Sequence, residues 1–173
     1  MSASRIWIGI VALLWVAAAC GGEPPNGHQD EATSEDGVTN PYVVPTIRSN
    51  CPKTGWSDHV SSLKTAPSGC QAEYALGYTW GNYGDKVLWS CTVNTPRGPE
   101  KFTSTDRNCE GQGYAPISAY VGRVWNTGNS TRHPVYRCRT YDGEHFDSIA
   151  SNCEGYVLEH MHGYMYWDFG SYR

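Results

Sequence analysis

Basic residues are not in excess in this 173-residue chain: thirteen Lys and Arg stand against seventeen Asp and Glu, a formal net charge of −4. Five of the acids lie between Glu23 and Asp36, and Arg5 is the one basic residue before Pro41; from there on the signs balance, twelve of each. A neutral surface lacks the basic stripe that displaces counterions from phosphates, so nucleic acid is excluded as the partner. No stretch keeps a helical apolar period over a dozen residues, which removes helical bundles, although a single turn before the second cysteine of a repeat is allowed. Cys-x-x-Cys knuckles are missing, which argues against structural zinc, and nothing in the chain calls for a cofactor. The longest apolar run, Ile6 to Ala19, has fourteen residues and is too short to cross about 30 Å of hydrocarbon as a helix.

Cysteine is plentiful by contrast. Cys20 stands alone, and Cys51, Cys70, Cys91, Cys109, Cys138 and Cys153 follow. The six form pairs spaced by 19, 18 and 15 residues, each pair inside one copy of a repeat. That is the pattern of a disulfide framework made in an oxidising compartment. A repeated unit repeats its bonds, so the expected pairing is Cys51–Cys70, Cys91–Cys109 and Cys138–Cys153.

A basic start, a short apolar middle and small residues at the end make residues 1–19 a secretory signal. Its last residues, Ala17-Ala18-Ala19-Cys20, resemble the lipobox of bacterial lipoproteins. The resemblance implies lipid on Cys20 and an outer-membrane or cell-surface location outside the cytoplasm. Residues 20–40 are rich in Gly, Pro, Glu, Asp and Ser, with Val38 the single aliphatic residue beyond alanine. Such a stretch cannot bury enough surface to offset its ordering entropy, and it reads as an acidic tether.

Residues 41–173 contain the repeats, in units of about 41–80, 81–125 and 126–173. Asp58-His59-Val60-Ser61-Ser62, Glu100-Lys101-Phe102-Thr103-Ser104 and Glu144-His145-Phe146-Asp147-Ser148 are copies of one motif. Short runs of β-branched and aromatic residues, such as Val87 to Cys91 and Val135 to Cys138, read as strands separated by Gly, Pro and Asn turns. A unit of this size cannot cover its own apolar face, so three of them pack into one core. The expected fold is all-β, a compact three-repeat disulfide-stapled assembly of β-trefoil-like form. Val60, Phe102, Phe146, Tyr78, Tyr120, Tyr164, Leu88 and Val135 are the expected core. Ser62, Ser104 and Ser148 are expected to close turns on the backbone.

Tyr-Arg at 136–137, then Gly143-Glu144-His145-Phe146-Asp147-Ser148 and Glu154-Gly155, resemble tandem modules of exported bacterial and fungal proteins. The likeness is fullest in the third unit; Lys101 replaces the histidine in the second and Val60 the phenylalanine in the first. These modules often stand beside enzymes acting on polysaccharide or cell wall, which is association rather than mechanism.

Catalytic constellations are weak. His145 with Ser148 and His59 with Ser62 lie close in sequence, but a motif spread over every unit reads as scaffold, and no Gly-x-Ser-x-Gly elbow accompanies it. Glu110 and Glu154 occupy equivalent positions, as turn-capping residues would. His160 and His162 are expected to be solvent-exposed rather than a metal pair with His145. Aromatics are abundant beyond core needs, with Trp56, Trp125, Tyr141, Trp167 and Tyr172 near polar residues. The chain therefore reads as a non-enzymatic, lipid-anchored binding module for carbohydrate or cell-wall glycan. The alternative is a structural or adhesive envelope protein that recognises another protein. Tyr141, Asp142, Glu144 and His145, together beside one hairpin, are the expected ligand contacts: Tyr to stack, the carboxylates and His to hydrogen-bond hydroxyls.

Overall fold

A computed structural model describes residues 43–168; the signal, Cys20, the tether and Tyr172 lie outside the described residues. Nine strands form three units. The first contains β1 (Val43–Lys53), β2 (Trp56–Leu63) and β3 (Gln71–Trp80). The second contains β4 (Lys86–Thr95), β5 (Gly98–Ser104) and β6 (Tyr120–Val124). The third contains β7 (Arg132–Arg139), β8 (His145–Ser148) and β9 (Val157–Tyr166). In every unit the first strand is central, flanked antiparallel by the second and third.

The protein is thus all-β and stapled by three disulfides, Cys51–Cys70, Cys91–Cys109 and Cys138–Cys153, one within each unit. Each closes a loop of a length that contributes about 3 kcal/mol in the chain-entropy account. Three such bonds fit an oxidising, extracytoplasmic compartment. The first and third units join through β3 and β9, at Tyr78 and Tyr166, into one six-stranded sheet, and the second unit is a separate three-stranded sheet; the trefoil-like form is the expectation from sequence. Helical structure among the described residues is limited to single 3-10 turns. Two of these begin at the second cysteine itself, Cys109–Gly111 and Cys153–Gly155, rather than before it.

Strand register fixes which residues are equivalent. Thr46 faces Gly77, Leu88 faces Gly122 and Val135 faces Gly163, in each case beside a register shift. The three glycines share one backbone conformation, with φ of 151°, 152° and 150°. Each lies against the neighbouring unit: a Cβ on Gly77 would meet Met165, one on Gly122 would meet Thr46 and Thr79, and one on Gly163 would meet Trp125 and Val124. The missing side chains let the third strands β3, β6 and β9 approach one another.

The positions around these glycines build the core. Leu88 and Val135 pack with Leu76, Val121, Val124 and Met165, all at most 3% exposed. Phe102 and Phe146 are buried as expected, whereas Val60 is only half-buried. The tyrosines are a correction: Tyr78, Tyr120 and Tyr164 are each half-buried. Alternation along the strand turns Tyr78 and Tyr164 away, while the residues on either side of them face in. Tyr120 is not their counterpart, because register aligns Arg123 with them.

Candidate functional site: the joints between units

The repeated motif holds the units together in a ring. Asp58, Glu100 and Glu144 are equivalent and buried, at 0%, 1% and 6% exposure. Each accepts bonds from the next unit. Glu144 Oε1 takes the backbone N–H of His59 at 2.7 Å and lies 2.7 Å from its ring Nδ1. Glu100 Oε1 takes the N–H of His145 at 2.6 Å and lies 2.8 Å from its Nδ1. Both oxygens of Asp58 take the N–H of Lys101 at 3.2 Å. The carboxylates thus saturate edge N–H groups that would otherwise be left without partners.

Three residues further along the motif, Ser61, Thr103 and Asp147 converge. Both hydroxyls donate to the Asp147 carboxylate at 2.5 Å, and His162 Nε2 lies 3.1 Å from it. His162 is 1% exposed, which corrects the expectation of a solvent-exposed residue; it belongs to this network. Burial pushes the Asp147 carboxyl up, but the His162 ring and the two hydroxyls together hold it below its ordinary value. Burial also drives His160 down to about 4, so its ring, 3.3 Å from His162, is neutral.

Two joints carry a further clasp. Between the third and first units, Arg48 donates to both oxygens of Glu154 at 2.6 and 3.2 Å, to Glu73 at 2.5 Å and to the Asp147 carbonyl at 3.0 Å. Between the second and third, Arg137 donates to both oxygens of Glu110 at 2.6 and 2.9 Å, to Glu159 at 2.8 Å and to the Thr103 carbonyl at 3.1 Å. The paired hydrogen bonds from Arg137 hold the Glu110 carboxyl down at about 2. Glu110 and Glu154 reach these arginines from left-handed backbone at Cys109-Glu110 and Cys153-Glu154, a costly conformation retained because the disulfide and the clasp enforce it. Their partner across the joint is thus an arginine, beyond the turn-capping expected. Ser104 and Ser148 donate to the same glutamates and close turns on Asp106 and Ala150, as expected. Ser62 closes its turn on Thr65.

A concavity of about 500 Å³ opens over the Arg48 joint. Its rim is Tyr141, 81% exposed, and Tyr156, 44% exposed, with ring centroids 5.5 Å apart. The Tyr141 hydroxyl donates to the Gly155 carbonyl at 2.9 Å, which anchors the ring without covering its face. Below lie Arg48, His59 and Phe146, with Asp142, Glu154 and Thr140 at the sides. Asp142 is exposed and paired with Arg97 of the second unit at 2.5 Å.

Of the four expected contacts, Tyr141 and Asp142 border this concavity with free surface. Glu144 also lines it but is buried and bonded to His59. His145 does not: it lies at the joint between the second and third units, bonded to Glu100. The other aromatics are scattered. Trp56 lies beneath Arg97, Trp125 beneath Arg132, and Trp167 stacks on His133. Tyr156 and Glu154, which complete the rim, were marked in the sequence only by the Cys-Glu-Gly turn that carries them.

No helix among the described residues is long and apolar enough to cross a membrane. No protein-family model matches the chain, and neither a curated protein nor a solved structure matches it.

Proposed function

We propose that this protein is a lipid-anchored, envelope-exposed binding module, non-enzymatic, whose ligand is a carbohydrate or cell-wall glycan taken by the Tyr141–Tyr156 concavity. The observation that carries the reading is the pair of exposed rings over a polar hollow. Sugar rings present apolar C–H faces that stack on aromatics, and hydroxyls that carboxylates accept from. Asp142 and Glu154 line the concavity and carry carboxylate oxygens of the kind that accept from such hydroxyls. The histidines of the repeated motif are committed to the ring of inter-unit bonds, which supports a scaffold role for them rather than a catalytic one.

The anchor rests on the signal and Cys20, whose lipidation gives the seventh cysteine a role and places the module outside the cytoplasm. A glycan-array screen of the protein tests the ligand class: selective retention of a glycan set supports it. Uniform failure shifts the reading to protein recognition, for which the exposed run Tyr156, Val157 and Leu158 offers a flatter apolar surface.

A further inference from the structure

The three units meet at three joints, and the one between the first and second units lacks the arginine clasp. Register aligns Ser90 with Arg48 and Arg137: Ser90 faces Thr103 as Arg48 faces Ser61 and Arg137 faces Asp147. Counted from the glycines of the third strands, Ser118 stands where Glu73 and Glu159 stand, and Ala119 where Tyr74 and His160 stand. Val60 replaces Phe102 and Phe146. The glutamate of the Cys-Glu-Gly turn has no counterpart, because Gln71 follows Cys70 and is exposed. The arginine, the phenylalanine ring and both glutamates around the arginine at the other two joints are therefore replaced by small residues or missing here.

A cavity of about 700 Å³ occupies the place, and Val60, Ser90, Ser118 and Ala119 all line it. The hollows at the clasped joints are smaller, about 140 Å³ at Arg137 and about 500 Å³ at Arg48. A volume of this size is in the range of small-molecule sites.

Its chemistry differs from that of the clasped joints. No acidic side chain lines it, and Lys101 is the one charged residue that does. The equivalents of Lys101, His59 and His145, each sit between two carboxylates. The Lys101 ammonium instead donates to the Thr92 hydroxyl at 2.7 Å, and among the described residues no carboxylate pairs with it. Ser90 and Ser118 line the same cavity, with Ser62, whose hydroxyl donates to the Thr65 carbonyl, and the rings of Tyr114 and Tyr120. Tyr114 is 62% exposed.

We infer that this open joint is a second binding site, for a short acidic saccharide whose carboxylate pairs with Lys101 while its hydroxyls meet the serines and its ring stacks on Tyr114. The inference shares carbohydrate as its ligand class with the proposed function but rests on a separate cavity. The carboxylate supplies the charge that the two glutamates supply at the other joints. The serines supply the hydrogen-bonding groups a sugar needs, and a tyrosine face covers its C–H surface.

Calorimetric titration with a galacturonic acid trimer and with its carboxyl-reduced, neutral counterpart tests this. The acidic trimer is expected to bind at least tenfold more tightly than the neutral one. Lys101→Gln removes the charge-assisted bond and is expected to weaken the acidic trimer by about tenfold or more while leaving the neutral one unchanged. Ser90→Arg restores the residue found at the other joints and is expected to abolish binding with the melting temperature retained. Should that variant fail to fold, Lys101→Gln decides, since its backbone N–H to Asp58 is untouched. Tyr141→Ala is expected to leave this binding intact. Equal affinity for the two trimers, no binding of the acidic trimer at millimolar concentration, or indifference to Lys101→Gln overturns the inference. Loss of binding in Tyr141→Ala alone assigns the trimer to the other concavity, overturning this inference while the proposed function stands.

Discussion

Arg48 and Glu154, 106 residues apart in the chain, hold each other through two hydrogen bonds of 2.6 and 3.2 Å. The arginine side chain is 8% exposed and the glutamate 37%, so the pair is sunk at one end and wet at the other. Its partner pair, Arg137 and Glu110, repeats the geometry one joint further round. Closure of the three units thus depends on charge pairs at two joints, one of them drawn from opposite ends of the domain, in addition to the apolar core.

Replacing Arg48 with Met removes its hydrogen bonds to Glu154, Glu73 and the Asp147 carbonyl and leaves Glu154 with Ser148 and Tyr74 as donors. Breaking a buried pair costs about 3–5 kcal/mol, and the solvent reaching Glu154 lowers this to about 2–3 kcal/mol. Denaturant unfolding should show that loss, with Glu154→Gln costing less. A change under about 0.5 kcal/mol would mean that the clasp is ornamental.

Gly163→Ala sets a Cβ 2.5 Å from the Trp125 carbonyl oxygen and 2.9 Å from Val124, whereas Gly143→Ala meets nothing within 4 Å. Both residues have positive φ, so both variants carry backbone strain of about 1 kcal/mol. Gly163→Ala adds a clash with a neighbouring unit and should lose about 3 kcal/mol or fail to fold, while Gly143→Ala should fold. Equal stabilities would remove the close approach of the third strands as an element of the assembly.

The repeats, strands and cysteine pairs were legible because they are local: alternation, turn residues and spacing carry them. Phe102 and Phe146 were legible as core for the same reason. The tyrosine register was misread because Ala119-Tyr120-Val121 resembles Gly77-Tyr78-Thr79, while the ladder aligns Gly122 with Gly77. The clasp was hidden by the cysteines. Arg137 directly precedes Cys138, but Arg48 lies three residues before Cys51, because the first disulfide is attached two residues later along its strand: Ser49 holds the place of Cys91 and Cys138 opposite Val60. Tyr141 and Asp142 were marked by their hairpin, whereas the commitment of Glu144 and His145 to other units is a long-range fact that no local pattern carries.

Stability should peak in mildly acidic solution. Burial raises the Asp58 carboxyl to about 6, so the folded state holds this proton more tightly than the unfolded chain. Stability therefore falls as pH rises through roughly 4 to 6. The bond to Glu144 raises His59; its contribution is full below about 6.5 and is lost as pH climbs through the folded value. Glu110, held at about 2 by Arg137, contributes above its unfolded value and is lost only as pH falls toward 2. Asp58→Asn keeps an acceptor for the Lys101 N–H and removes a buried charge that Glu100 and Glu144 repel. It should flatten the decline between pH 4 and 6 and stabilise the protein by about 1–2 kcal/mol at pH 7. An unchanged pH profile of the melting temperature would exclude Asp58 as its source.

Cys20→Ser should release the protein from membranes into the soluble fraction. Mass spectrometry should find the natural mature chain starting at a lipid-modified Cys20. An unmodified Cys20, or a cut elsewhere, would rule the anchor out.

The glycan reading stands or falls on the exposed ring pair. Tyr141→Ala with Tyr156→Ala removes the stacking faces while leaving the core and all three disulfides in place. Titration of this double variant with a glycan selected on the array, beside thermal unfolding, is the most direct measurement. Loss of at least tenfold in affinity, about 1.4 kcal/mol, with the melting temperature within about 3 °C of the parent, is the predicted result. Affinity equal to the parent's, or a loss of binding that only tracks a loss of stability, would contradict the account.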